Sequence, residues 1–380
     1  MKNQLYFLIG VLLPWSLVVS VNRAGAQTWS QLATSGAGPN TTVAVNTTNY
    51  DATNNRLIVF LAEGGSVPSQ VWVLTNANGM GGTPTWTQLQ PTGPPAQNNG
   101  GSTAVYNPTG NQLIVYGGCT ANCGSPLPDV YVLRNANGLG GTPVWSQSSP
   151  TSSIPRDYQT AVYDPTTRSM ITFGGGLAFY GTDQNDTNVL FPANGSSPTW
   201  TTLTTSGGPP GEREGHSAVF DSAHNRMIVF GGQKLISWCC PTDQLPYNDV
   251  WVLSNANGHG GTPAWTQLQP QGNPPMPRAC HSAIYDPAGN NMFVFGGASW
   301  SNETQSSAPL GDVWRLSNAN GLGSSPPQWT QIGQFGTPPG GNRDPGLAFD
   351  RVNRRIISYG GYDRNWALHF LTFILDLKQH

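Results

Sequence analysis

Charge is what this 380-residue sequence lacks most. Asp, Glu, Lys and Arg make up 9% of it, against roughly a quarter in an average soluble protein. Only three lysines occur, Lys2, Lys234 and Lys378, and the net formal charge is −2. A nucleic-acid binder needs clustered cations to neutralise phosphates, so that class is excluded. Cysteine is also scarce, with five residues, and no Cys/His spacing matches a zinc site. Beyond residue 26 no stretch is long and apolar enough to span a membrane. Gly 47 and Pro 32 together form about a fifth of the chain, yet 13 Trp, 13 Phe and 12 Tyr are present. So many aromatics exclude a disordered chain. Many short strands joined by turns account for both facts.

Residues 1–26 read as an address. Lys2 supplies a positive charge, residues 5–21 are almost wholly apolar, and Ala24-Gly25-Ala26 is a small-residue cleavage signal. This is the pattern of a secretory signal peptide, with Gln27 as the first mature residue. Cleavage removes Lys2 and Arg23 and no acid, taking the net charge from −2 to −4. The expectation is a secreted or periplasmic protein, off the membrane after cleavage, with residues 27–380 as a single domain.

The rest of the chain repeats itself six times. An aromatic residue, Asp or Asn, a turn and an apolar run recur, usually ending in Gly-Gly. Examples are Tyr106-Asn107 to Gly117-Gly118, Phe220-Asp221 to Gly231-Gly232 and Phe349-Asp350 to Gly360-Gly361. The first copy departs, with Leu61-Ala62 in place of the glycines. A second phrase follows, as in Asn248-Asp249-Val250-Trp251, then a Gly/Asn/Pro loop and a Trp-led run at Trp86, Trp145, Trp200, Trp265 and Trp329. Short runs of Val, Ile, Tyr, Phe and Trp bounded by Gly, Pro and Asn are strand signals. Each unit thus offers four strands, a to d, illustrated by residues 217–220, 227–230, 250–253 and 265–268.

The last unit supplies strands a, b and c and then ends, while Trp29-Ser30-Gln31-Leu32 is an orphan d strand at the other end. Letting this segment complete the last sheet closes a ring and hides a raw sheet edge. With its GG-ended strand b, aromatic strand c and Trp-led strand d, the chain resembles the kelch family of six-bladed β-propellers. The all-β fold expected is a six-bladed kelch-type propeller closed by its N-terminal strand. The six repeat tryptophans are assigned to core packing, and the recurring Asn-Ala-Asn-Gly loops to tight turns.

Strand alternation puts the d–a and b–c loops on one face. Most of the acids that the repeat does not explain fall there, among them Asp157, Asp183, Glu212, Glu214 and Asp344. So do Arg156, Arg213, Arg278, Arg343, His216 and His281, and the non-repeat Trp238, Trp300 and Trp366. Arg156, Arg213 and Arg278 each stand three residues before Gln159, His216 and His281, with Arg343 one step out of register. Two readings stand side by side: structural clamps, or a ring of guanidiniums able to pair bidentately with a carboxylate. The binding candidates are Arg156, Asp157, Arg213, His216, Trp238, Arg278, His281, Trp300, Arg343 and Asp344.

Cys119 and Cys123 share one short loop and suit a disulfide. Cys280 has Cys239 or Cys240 as a possible partner, the alternative being a vicinal Cys239–Cys240 bridge; connectivity is not readable from spacing.

In kelch proteins the loop face around the central funnel commonly holds the ligand. The resemblance therefore implies an exported, monomeric binding module that takes a glycan or an extracellular protein, with no cofactor and no metal. The alternative is a carbohydrate-active enzyme resembling the sialic-acid mutarotases, with Glu212, Arg213 and Arg278 as candidate catalytic residues. A galactose-oxidase-type copper enzyme is disfavoured, because no adjacent Tyr-His ligand pair is found. A third reading is a structural repeat protein with a filled funnel.

Overall fold

The computed structural model describes residues 27–40, 46–62, 69–96, 99–119, 125–177, 182–195, 197–234, 245–301, 306–363, 365 and 367–377. The expected signal peptide lies outside them. Each repeat forms one antiparallel four-stranded sheet. In the fourth, Ser217–Asp221 pairs with Arg226–Phe230, that strand with Val250–Ser254, and that one with Ala264–Leu268. The b strands read as unbroken apolar runs because neighbouring blades cover both of their faces. Met227, Ile228, Val229 and Phe230 are all fully buried. The outer strand Ala264–Leu268 buries Trp265 and leaves Thr266 and Gln267 exposed.

The innermost strands are Asn46–Asp51, Asn99–Asn107, Thr160–Asp164, Ser217–Asp221, Ser282–Asp286 and Gly346–Asp350. Each lies beside the next, and the last lies beside the first, so the six sheets form a closed ring. The sixth blade takes its outer strand from the far end of the chain. Gln27–Gln31 pairs antiparallel with Thr372–Asp376, placing Trp29 opposite Leu375.

Two sets of contacts run around the ring. The first is aromatic. Every repeat tryptophan packs on the last aromatic of strand b in the preceding blade: Trp29 on Phe295, Trp86 on Tyr359, Trp145 on Phe60, Trp200 on Tyr116, Trp265 on Phe173 and Trp329 on Phe230. Ring centroids lie 4.5–6.0 Å apart. All six indoles are buried, and each adds roughly 5 kcal/mol of apolar transfer free energy before entropy is counted. The second set is polar and explains the Asn-Ala-Asn-Gly loops. Asn78, Asn137, Asn257 and Asn320 donate side-chain amides to Asp350, Asp51, Asp164 and Asp221 of the preceding blade at 2.6–2.8 Å. Where the loop is missing in the sixth blade, Arg354 reaches Asp286 at 3.0 Å instead. Where the aspartate is missing in the second blade, Gln112 accepts from both Asn107 and Asn194, at 3.0 and 2.9 Å.

Two features go beyond the expectation. Five of the six d–a linkers cross to the next blade and lie parallel along its outer strand, as at Ser206 beside Ala264 and Gln334–Gly336 beside Gln27–Trp29. Glycine makes that approach possible. Gly207 has φ +81°, and a Cβ there would stand 2.1 Å from the Trp265 carbonyl oxygen. The b–c loops of the fourth and fifth blades also carry short hairpins, Gln233–Lys234 with Leu245–Pro246 and Ala298–Ser301 with Ser306–Pro309. Their polar, aperiodic sequences gave no strand signal.

Candidate functional site

The segment entering four of the inner strands is built on a four-residue frame. The copies are Arg156-Asp157-Tyr158-Gln159, Arg213-Glu214-Gly215-His216, Arg278-Ala279-Cys280-His281 and Asn342-Arg343-Asp344-Pro345.

The first position holds each blade together. Arg213 donates to both carboxylate oxygens of Asp249 at 2.7 and 2.9 Å, and to the carbonyls of Gly231 and Gly211 at 2.9 Å. Arg278 binds Asp312, Gly296 and Met276 in the same way. Arg156 pairs with Asp186 at 2.5 Å. These three arginines are 1%, 0% and 4% exposed. Their carbonyls, with that of Asn342, accept from the second glycine of the preceding blade's Gly-Gly pair. This corrects the reading of Arg156, Arg213 and Arg278 as a guanidinium ring facing a ligand: they are buried clamps. The out-of-register Arg343 has the same explanation. Asn342 takes the clamp position, donating to the Gly360 carbonyl at 2.7 Å, and Arg343 moves up to the second.

Second-position residues bridge to the b–c loop: Asp157 to Gly176, Glu214 to Gln233, Ala279 to Ala298 and Arg343 to Tyr362. The d–a and b–c loops are thereby fastened together on one face.

Third-position residues form a rim. Tyr158, Gly215, Cys280 and Asp344, with Gly101 from the second blade, all have φ between +51° and +71°. The amides of Tyr158, Cys280 and Asp344 donate to the carbonyls of Gly101, Gly215 and Cys280 at 2.7–2.8 Å. Left-handed backbone suits glycine, yet three of the five are not glycine.

The fourth position lies in the wall below. His216 Nε2 lies 2.7 Å from Thr160 Oγ1, and His281 Nε2 2.9 Å from Ser217 Oγ, each tying two blades. Burial, then the neighbouring Arg213, pushes His216 well below the ordinary range; burial and Arg278 bring His281 to about 3. Both are neutral at physiological pH. Each is a buried inter-blade wedge that also lines the cavity described below. Among the described residues no group of His, Cys, Asp and Glu is arranged to hold a metal.

Rim and wall enclose a cavity of about 600 Å³ on the ring axis. The charged residues that line it are Arg343 and Asp344, and further carboxyls lie buried near them. Burial raises Glu214 to about 8, with Asp183 and Asp157 adding to the shift and Gln233 and Arg343 opposing it. Burial raises Asp157 to about 6, with Asp183 adding and backbone amides opposing. Asp344 is also raised by burial, against the pull of Arg343, whose Nε lies 3.3 Å from it.

Not every candidate reaches this mouth. Glu212 sits on the surface, 2.5 Å from Lys234. Trp300 stands in the strand Ala298–Ser301, paired with Ser307, while Trp238, Trp366, Cys123, Cys239 and Cys240 lie outside the described residues. Cys119 is disulfide-bonded. Cys280 is a free thiol, which corrects the expected bridge to Cys239 or Cys240. It is a rim residue, hydrogen-bonded to Arg343 and Asp344, and burial raises its thiol to about 12. Sequence reasoning missed Tyr158 and Gln159. The signal for both was the constant interval from each arginine to the Gln or His that follows it.

A closed ring of six four-stranded blades around an axial polar funnel defines a β-propeller. The KLHDC2/KLHL20/DRC7 Kelch-repeats domain model matches residues 166–380, more than half of the chain, and the chain belongs to the kelch-repeat family. Kelch domain-containing protein 3 of Rattus norvegicus is 36% identical over 118 residues, 30% of this chain and 27% of that protein. Rab9 effector protein with kelch motifs of Mus musculus is 28% identical over 221 residues, 56% of this chain and 51% of that protein. The chain thus spans about a quarter to a half of the length of these two relatives. The solved structure of YjhT superposes with a TM-score of 0.59 at 14% identity, covering 89% of this chain and 96% of that one. That likeness extends to the fold.

Proposed function

We propose that this propeller is a binding module, that it takes a segment of a partner protein at the funnel mouth, and that it works in an exported compartment. The observation that carries the reading is the rim. Tyr158, Cys280 and Asp344 hold left-handed conformations around one opening, each at a cost of roughly 1 kcal/mol or more. The backbone path does not demand those side chains, because Gly101 and Gly215 serve at equivalent positions. Side chains retained against such a cost mark a functional site. Tyr158, 43% exposed, offers an apolar face with a polar tip, the combination favoured at protein interfaces.

The name of the mouse relative, a Rab9 effector, supports a protein partner. The glycan reading leaned on Trp238 and Trp300, whose side chains lie outside the described residues. The mutarotase reading needed Glu212, Arg213 and Arg278; two are buried clamps and the third is paired with Lys234. Export rests on the signal-like residues 1–26 and on the disulfide at Cys119, which suits an oxidising compartment.

Affinity capture from the exported fraction tests this, comparing the wild type with Tyr158→Gly/Asp344→Gly. The proposal expects a protein retained by the wild type, lost by the variant, and a mature chain starting at Gln27. Equal capture by both, or a glycan-array signal with no protein captured, overturns it.

A further inference from the structure

We propose that the face opposite the rim, built from the a–b turns and the c–d loops, rests on an anionic phospholipid bilayer. The proposal is independent of what the mouth takes. Its first support is an apolar position that recurs with the repeat. Met80, Leu139 and Leu322 each follow an Asn-Ala-Asn-Gly loop and are 40%, 38% and 50% exposed. Their backbone amides donate to the side chains of Asn78, Asn137 and Asn320. The carbonyls of Met80 and Leu139 accept from Asn55 and Asn111 of the a–b turns. With the backbone fastened in this way, the side chains are held out toward solvent. His259 fills the position in the fourth blade. The sixth blade has no such loop, and Val352 of its a–b turn is 84% exposed instead.

Apolar exposure alone does not single out this face, because Met276 and Leu177 are 58% and 38% exposed on the other one. Charge does. Arg134, Arg168 and Arg351 stand exposed on the a–b and c–d side and make no ion pair among the described residues. Arg56 and Arg226 are half-buried and donate to the carbonyls of Asn137 and Asn320, neutral acceptors that leave the charge standing. The aspartates of the turns, such as Asp51 and Asp221, are 1–3% exposed, and Asp376 is paired with Arg355 at 3.3 Å. The exposed charge of this face is therefore positive, on a chain whose net charge is −2.

The path of the chain agrees. Thr28 lies opposite Asp376, at the c–d end of the sixth blade, so residues 1–26 with their apolar run join the domain on this side. A leader inserted in a bilayer brings this face to it first. Aliphatic side chains that dip below the headgroups and cations that meet anionic lipid are the two parts of interfacial membrane binding. A soluble polyanion would engage the arginines and leave Met80, Leu139, Leu322 and Val352 in water. Seated on lipid, the propeller turns its mouth away from the bilayer, toward a partner. This departs from the expectation of a chain off the membrane after cleavage.

The test is flotation of the full mature chain with two kinds of vesicle, pure phosphatidylcholine and phosphatidylcholine with about a third phosphatidylglycerol, at about 0.1 M and about 0.5 M salt. Retention on heparin beads is measured beside it. The expected result is at least about tenfold more chain on the anionic vesicles at the lower salt, a gain lost at the higher salt, where screening shortens the reach of the arginines. Arg134→Gln/Arg351→Gln lowers vesicle binding about tenfold or more. Met80→Ser/Leu139→Ser/Leu322→Ser does the same, while Met276→Ser on the other face binds like the wild type. The vesicle and salt comparisons use the wild type alone and so decide the matter should a variant fail to fold. Equal binding to the two vesicles, binding to neither, or undiminished binding by the triple serine variant overturns the proposal. Retention on heparin with no chain on vesicles overturns it too, in favour of a soluble polyanion.

Discussion

Asn320 donates its side-chain amide to Asp221 at 2.8 Å across 99 residues of sequence, joining the fifth blade to the fourth. Asp221 also accepts from the Ala223 amide and the His224 ring. The same bond recurs around the ring with Asn, Asp, Gln or Arg exchanged in compensating pairs. These loops are therefore fasteners rather than a ring of ligand sites. Replacing Asp221 by Ala leaves buried donors unmet and should cost about 2–3 kcal/mol. Urea unfolding measures this, and a loss within experimental error would contradict the assignment.

The two classes of carboxyl predict a humped pH profile. Burial alone would raise Asp164, Asp221 and Asp350, but hydrogen bonds from Asn257, Asn320, Asn353 and others outweigh it and hold all three below the ordinary value. Their stabilisation is complete above the unfolded value near 4 and is lost as pH falls through the folded value. Glu214 and Asp157 are raised. The folded chain then binds more protons than the unfolded one, so stability declines from about pH 4 to about pH 8. Glu214→Gln should match the wild type near pH 4 and exceed it near pH 8 in unfolding midpoint. An identical difference at both pH values would rule this out.

Arg278 is fully buried in a bidentate pair with Asp312. Arg278→Leu should cost on the order of 3 kcal/mol, because it strands a carboxylate and the Gly296 and Met276 carbonyls. Arg278→Lys should recover little, since an ammonium group does not reproduce the planar fork. Thermal unfolding of both decides between a clamp and a ligand-facing group, which would leave stability nearly unchanged.

Trp29 closes the ring through Phe295 and Leu375. Trp29→Ala should cost about 3–5 kcal/mol, as should Trp265→Ala at an ordinary blade. Equilibrium unfolding compares them. A much smaller loss for Trp29 would mean that the ring does not depend on this strand.

The fold was legible because its signals repeat. Trp-led outer strands, apolar b strands and Asp-initiated turns recur, and the chance of misreading one copy is offset by the others. The site was half legible. The Arg-x-x-His interval located the right segment, but sequence could not tell which residue of the frame turns inward. Arg213 and Glu214 are adjacent, yet one is locked onto the Gly231 carbonyl and the other is fastened to Gln233 of the b–c loop. That sorting depends on the left-handed third position, and at Tyr158, Cys280 and Asp344 no glycine advertised it. The Cys280 pairing failed for the same reason: sharing a face does not fix which way a side chain points.

The central claim is that the rim side chains bind while the buried arginines and asparagines hold the scaffold. The most direct test measures capture of the partner and the unfolding midpoint on one protein, Tyr158→Gly/Asp344→Gly. Glycine is at ease at φ +51° and +55°, so the account predicts a change in stability within about 1 kcal/mol and at least a tenfold loss of binding, about 1.4 kcal/mol or more. Unchanged binding with unchanged stability would contradict it.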